Sequence, residues 1–202
     1  MEQKHGIRIS FNAPVILTLS LLCLAALILG MLTSGKTTTL LFSVYRCPLS
    51  DPLGYVRLFG HVLGHSGVQH LIGNLMFILV VGPLLEEKYG SLDILCMILI
   101  TALVTGVIHC LLFPGTALLG ASGVVFALIL LSSFTGLREG KIPLTFLLVA
   151  LLYLGQEIYQ AIFVADNVSN LTHILGGIVG AVLGYHMSRH KLRSSQTSSP
   201  LW

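Results

Sequence analysis

The sequence predicts an all-α membrane protein, a bundle of six spanning helices with one long loop after the first. Three observations predict it. Hydrophobic residues make up 54% of the 202-residue chain, charged residues only 9%, and mean hydropathy is +0.90, far outside the range of soluble domains. Apolar runs of about 20 residues, the length that crosses a bilayer, recur along the chain. Lysine and arginine are distributed unevenly between the connecting segments, as the positive-inside rule requires of a polytopic protein.

Four spans are plain: Pro14 to Leu32, Leu92 to Phe113, Ile142 to Val164 and Leu171 to Met187. The first runs about 19 residues with no small-x-small cleavage site before a soluble domain, so it reads as a retained helix rather than a signal peptide. Two shorter runs, His70 to Leu85 and Ala117 to Ser133, begin with polar or small residues. Helices of that kind start below the membrane surface, where other helices enclose them and a wet cavity satisfies their ends.

Six spans place the N-terminus, the Glu86 to Gly90 and Gly136 to Lys141 turns, and the C-terminal tail on one side. That side holds Lys4, Arg8, Lys88, Arg138, Lys141, Arg189, Lys191 and Arg193, eight of the eleven basic residues, against Lys36, Arg46 and Arg57 on the other. Both termini are therefore expected in the cytoplasm. The domain reading is a cytoplasmic segment 1–13, a membrane domain 14–187 and a disordered tail 188–202.

The net charge of +3 is accounted for by orientation and implies no nucleic-acid partner. Cys23, Cys96 and Cys110 fall in apolar spans and Cys47 stands alone in the first loop, so no disulfide framework or metal spacing follows. Gly30, Gly35, Lys36 and Thr37 spell a phosphate-loop pattern. That loop needs a strand before it, and here an apolar helix precedes it on the side away from cytoplasmic nucleotide, so no nucleotide is expected. His61, His65 and His70 lack the H-E-x-x-H pattern or a nearby carboxylate that would complete a zinc site. The sequons at Asn167 and Asn170 mark an outer turn.

Polar groups inside a bilayer are costly, and each is a functional candidate. His70 and Asn74 lie four apart on one face of the second span, Ser122 opens the fourth, and His173 lies in the first turn of the sixth. Even-numbered spans all start outside, so topology gathers the four at one depth. Any one alone reads better as helix-to-helix glue worth about 1 kcal/mol, and it is the convergence that argues for chemistry. Gly176, Gly180 and Gly184 share the His173 stripe, and Gly123 and Ala127 give the fourth span a matching smooth edge. The two backbones can then approach closely enough for Ser122 and His173 to meet. A neutral imidazole suits activation of a serine. The Ser122 backbone amide at a helix N-terminus, the His70 ring and the Asn74 amide can supply oxyanion donors. Phe126, one turn below Ser122, can stack on His173. No carboxylate is placed to complete a triad. Glu157 in the fifth span reads either as a substrate-side residue or, more often for such a position, as one facing the hydrated interior, and Asp93 and His109 read as interfacial.

Gly120-Ala121-Ser122-Gly123 resembles the G-x-S-G motif of rhomboid intramembrane proteases. HSGVQHLIGN from His65 resembles that family's H-x-x-x-x-H-x-x-x-N, HILGGIVG from His173 its H-x-x-G-x-x-x-G, and Gly82, Glu86 and Gly90 its G-x-x-x-E-x-x-x-G. The resemblance covers about Arg57 to Gly184. It implies a six-transmembrane-helix rhomboid-like bundle with a long, partly embedded first loop. It also implies a catalytic dyad of Ser122 and His173, with an oxyanion hole from His70, Asn74 and the Ser122 amide, supported by Gly120, Gly123, Phe126, Gly176 and Gly180. The implied reaction is cofactor-free hydrolysis in transmembrane protein substrates near their outer end. A compact six-helix core with short tails suggests a bacterial plasma membrane, with lipid as the other partner. Two positions depart from the pattern: Val56 precedes Arg57 where the family commonly has Trp, and Phe126 stands where Tyr is frequent. Noncatalytic relatives usually lack the serine or the histidine, and both are present here.

Overall fold

The computed structural model describes residues 11–133 and 167–197, with single positions 144, 148, 151, 152 and 155; the side chains of 167–170 and 188–197 fall outside that description. The expected fifth span, with Glu157, lies almost wholly outside the described residues.

Helix α1 (Pro14–Leu32) coincides with the first expected span and begins on a proline, which suits a helix start because its missing N–H has no intrahelical partner to lose. The loop that follows is built. It contains α2 (Lys36–Leu41), α3 (Pro52–Gly60) and a single 3-10 turn, His61–Leu63. Asp51 caps α3 by accepting the Leu53 N–H at 3.0 Å. Then come α4 (Val68–Tyr89), α5 (Ser91–Leu112), α6 (Ser122–Ser133) and α7 (Asn167–Thr197).

Helices α1, α4 and α5 are long and apolar enough to cross a membrane. Large apolar side chains stay exposed along their outward faces, among them Leu32 at 77%, Val80 at 69% and Leu92 at 72%. In water such surface would drive association; in lipid it is the ordinary exterior. Among the described residues the only β feature is one antiparallel bridge, Val44 with Leu118.

Three expectations shift. The fourth span begins at Ser122 rather than Ala117, because Leu118 and Gly120 in the segment before it bond to the backbone of the first loop instead. The last helix starts at Asn167, so both sequons lie in its opening turns, not in a connecting turn, and His173 falls in its second turn. It also continues to Thr197, past the apolar limit at Met187 and through most of the segment read as a disordered tail. Hydropathy reports where lipid ends, whereas Arg, Lys and Leu carry a helix onward.

The first loop is anchored from within. Arg57 is buried, pairs with Asp51 and carries its guanidinium 4.4 Å from the centre of the Tyr45 ring. Arg46 donates to the carbonyls of Cys110 and Leu111 at 2.8 and 2.7 Å, tying the loop to the end of α5. These ties run through the guanidinium groups of Arg57 and Arg46 and not through Val56, whose side chain is exposed.

Candidate active site

Ser122 opens α6, and the chain reaches it along a segment pinned by backbone bonds. Val44 and Leu118 exchange both N–H···O bonds at 2.9 Å, and the Gly120 N–H donates to the His61 carbonyl at 2.9 Å. Gly120 has φ +130°, a conformation L side chains rarely adopt. A β-carbon there would come within 2.9 Å of Nε2 of His70 and 3.9 Å of Oγ of Ser122. Glycine is needed at this position for both reasons.

The third contributor arrives on α7. A β-carbon on Gly176 would strike the Gly123 carbonyl, and one on Gly180 the Ala127 carbonyl. The α6 and α7 backbones therefore touch along the smooth edges read from the sequence, and Gly184 continues the row, buried. The close crossing brings the His173 imidazole face to face with Phe126, ring centres 4.4 Å apart and planes 7° from parallel.

Ser122, His173, His70 and Asn74 line one cavity of about 280 Å³, together with Gln69, Gly73, Leu118 and Leu119. Three helices thus place a hydroxyl, two imidazoles and two carboxamides around a single space, with no carboxylate among the described residues that line it. First-turn amides of a helix have no partner within it and carry the positive end of its dipole, so the start of α6 aims a donor at this space. Such a set has the parts for nucleophilic acyl transfer: a hydroxyl, a base and donors for a developing negative charge. Among the described residues no group of three or more metal-ligating side chains comes together, and His61 and His65 have other occupations.

Three residues carry roles that the sequence did not disclose. His65 is buried and faces Asn74, with Asn74 Nδ2 3.0 Å from its Nε2. The Ser66 hydroxyl lies 3.1 Å from Nδ1 of His70. His109, read as interfacial, is buried, with Nε2 3.1 Å from the Thr116 carbonyl, because the segment leading to Ser122 folds back over the end of α5. Spacing alone marks His65 as near the site, but its partner depends on the turn before α4.

The family model for the rhomboid domain matches residues 52–190, most of the chain and all of this site. The chain belongs to the rhomboid family. It is 32% identical to Rhomboid-related protein 2 of Mus musculus over 158 residues, 68% of this chain and 52% of that protein. Rhomboid protease GlpG from Yersinia pestis (strain Pestoides F) is 26% identical over 187 residues, 91% of this chain and 66% of the relative. The same-named protein of Yersinia pseudotuberculosis serotype O:3 (strain YPIII) matches equally. The chain thus spans between half and two thirds of the length of these curated rhomboid relatives. Family and apolar helices together make it an integral membrane protein.

Proposed function

We propose that this chain is an intramembrane serine endopeptidase that hydrolyses a peptide bond in transmembrane protein substrates near their extracytoplasmic end. The observation that carries the reading is the convergence of Ser122, His173, His70 and Asn74 on one cavity from three helices. Relatives that bear the name rhomboid protease support it.

In this mechanism His173 accepts the Ser122 proton as Oγ bonds to the scissile carbonyl carbon. The resulting oxyanion is held by the Ser122 amide, the His70 ring and the Asn74 amide. Collapse breaks the C–N bond, and His173 returns its proton to the leaving amine. Water, activated by the same imidazole, then hydrolyses the acyl ester and regenerates the serine. Among the described residues no carboxylate lines the cavity, and in this mechanism the Phe126 stack does the orienting that an aspartate performs in a triad. The reaction needs no cofactor. The six-span topology, cytoplasmic termini and an active site open to the outer side of a bacterial plasma membrane complete the proposal, supported by the distribution of lysine and arginine.

The test is covalent labelling of the detergent-purified protein with a fluorophosphonate, which needs no knowledge of the substrate. Wild type should label, and Ser122→Ala and His173→Ala should not. No labelling under conditions where a known rhomboid protease labels would overturn the reading in favour of a noncatalytic family member.

A further inference from the structure

His65 and His70 sit with ring centroids 5.0 Å apart at 65°, edge against face, at the mouth of α4. Their hydrogen-bond partners differ in kind. A carbonyl oxygen only accepts, and the Leu63 carbonyl lies 3.1 Å from Nδ1 of His65, so that nitrogen carries a proton. The Nε2 of a neutral His65 is then an acceptor, and the group 3.0 Å from it is Nδ2 of Asn74, a donor. A backbone N–H only donates, and the Ser66 N–H points at Nδ1 of His70 at 3.5 Å, beside the Ser66 hydroxyl. His70 therefore carries its proton on Nε2, the nitrogen that approaches Gly120 and the Ser122 side of the cavity.

The geometry points to His65 as a positioning residue: held as the Nδ1–H tautomer, opposite to His70, it fixes which end of the Asn74 amide turns toward it and so keeps an N–H at the proposed oxyanion site. This rests on the function proposed above. Without an acceptor at that place the Asn74 amide is free to turn over and present its oxygen, which repels an oxyanion. One short stretch of backbone, Leu63 to Ser66, thus sets the proton positions of both side-chain donors. That stretch is itself fixed, because a β-carbon on Gly64 would strike the Phe42 carbonyl in the first loop.

The test has two readouts. In nitrogen NMR of the full-length, ¹⁵N-histidine-labelled protein in bicelles, His65 should be protonated at Nδ1 and His70 at Nε2, each assigned by its glutamine variant. A His65 protonated at Nε2 overturns the inference. In cleavage of a transmembrane substrate, His65→Leu should lower kcat by about 10²-fold with KM unchanged, the loss expected of one oxyanion donor. His65→Gln, able to donate to Leu63 and accept from Asn74, should recover most of that loss. Equal inactivity of both variants would show a merely structural role and overturn the inference. Should wild-type protein neither label with a fluorophosphonate nor cleave, the proposed activity fails, and the NMR spectrum still decides the two tautomers.

Discussion

The two ends of α4 each hold a buried polar cluster, and they differ in what the polar atoms meet. At the far end Glu86 is 3% exposed, and its carboxylate accepts the Val15 and Ile16 N–H groups at 2.9 Å each and the Ser91 hydroxyl at 2.6 Å. Every donor there is a structural one: the carboxylate caps α1, and Gly82 lets Ile16 lie against α4 just above it. About 18 to 24 Å away, at 1.5 Å per residue, Asn74 and His70 meet a cavity instead. Saturated polar groups hold a fold together, whereas polar groups aimed into a space await a ligand. The same helix carries both, so substitutions at its two ends should separate stability from chemistry.

The sharpest separation comes from the cavity end. Removing Asn74 as Asn74→Ala should lower the rate of substrate cleavage by about 10²–10³-fold, the loss seen when one oxyanion donor is deleted. Its unfolding midpoint should move little. A large fall in midpoint with an unchanged rate per folded molecule would place Asn74 with Glu86, among the structural groups.

Glu86→Gln should do the reverse. It keeps the shape but exchanges charge-assisted bonds for neutral ones, at a cost of about 1.5–3 kcal/mol. Thermal unfolding followed by circular dichroism should show the lower midpoint, with fluorophosphonate labelling of the folded fraction unchanged. Lost labelling in a fully folded variant would mean that the two ends of α4 are coupled.

Much of this contrast was legible in the sequence at the cavity end and little at the other. Ser122, His173, His70 and Asn74 stood out because polar residues are rare in an apolar chain, and helix periodicity fixed which of them share a face. Gly123, Gly176 and Gly180 were legible for a related reason, since a three-residue spacing of small side chains predicts the crossing at which the α6 and α7 backbones meet. The Glu86 cap could be noticed only as a motif. Its partners at Val15 and Ile16 are 71 and 70 residues distant, and a capped backbone amide leaves no side-chain signature. The Val44–Leu118 bridge escaped for the same reason. His109 was misread because a titratable residue near a helix end suggests an interface, when the next segment in fact covers it. The extension of α7 to Thr197 was missed because apolarity was used to end a helix that polar residues continue.

Gly176→Ala bears on both ends at once. The added methyl meets backbone, which cannot rotate aside, so α6 and α7 must separate; overpacking of this kind costs about 1–3 kcal/mol. Separation also draws His173 from Ser122. Labelling and unfolding midpoint should fall together, unlike the responses at either end of α4, and a variant that loses one without the other would show that the crossing does not set the distance within the proposed dyad.

Stability also depends on pH. His61 and His65 lie in the first loop outside the spanning helices, and burial holds each imidazole down at about 4, against a usual value of 6.5. In the unfolded chain both take up protons near 6.5, while in the folded protein both stay neutral until about 4. The unfolded state therefore binds more protons across that window, and stability must decline as pH falls from 6.5 toward 4. Each kcal/mol lost should lower the unfolding midpoint by about 2–4 °C at this chain length. Replacing His65 by Gln removes one of these two titrating groups and should flatten the decline. A slope unaffected by His65→Gln would mean that the acid sensitivity does not originate at His65.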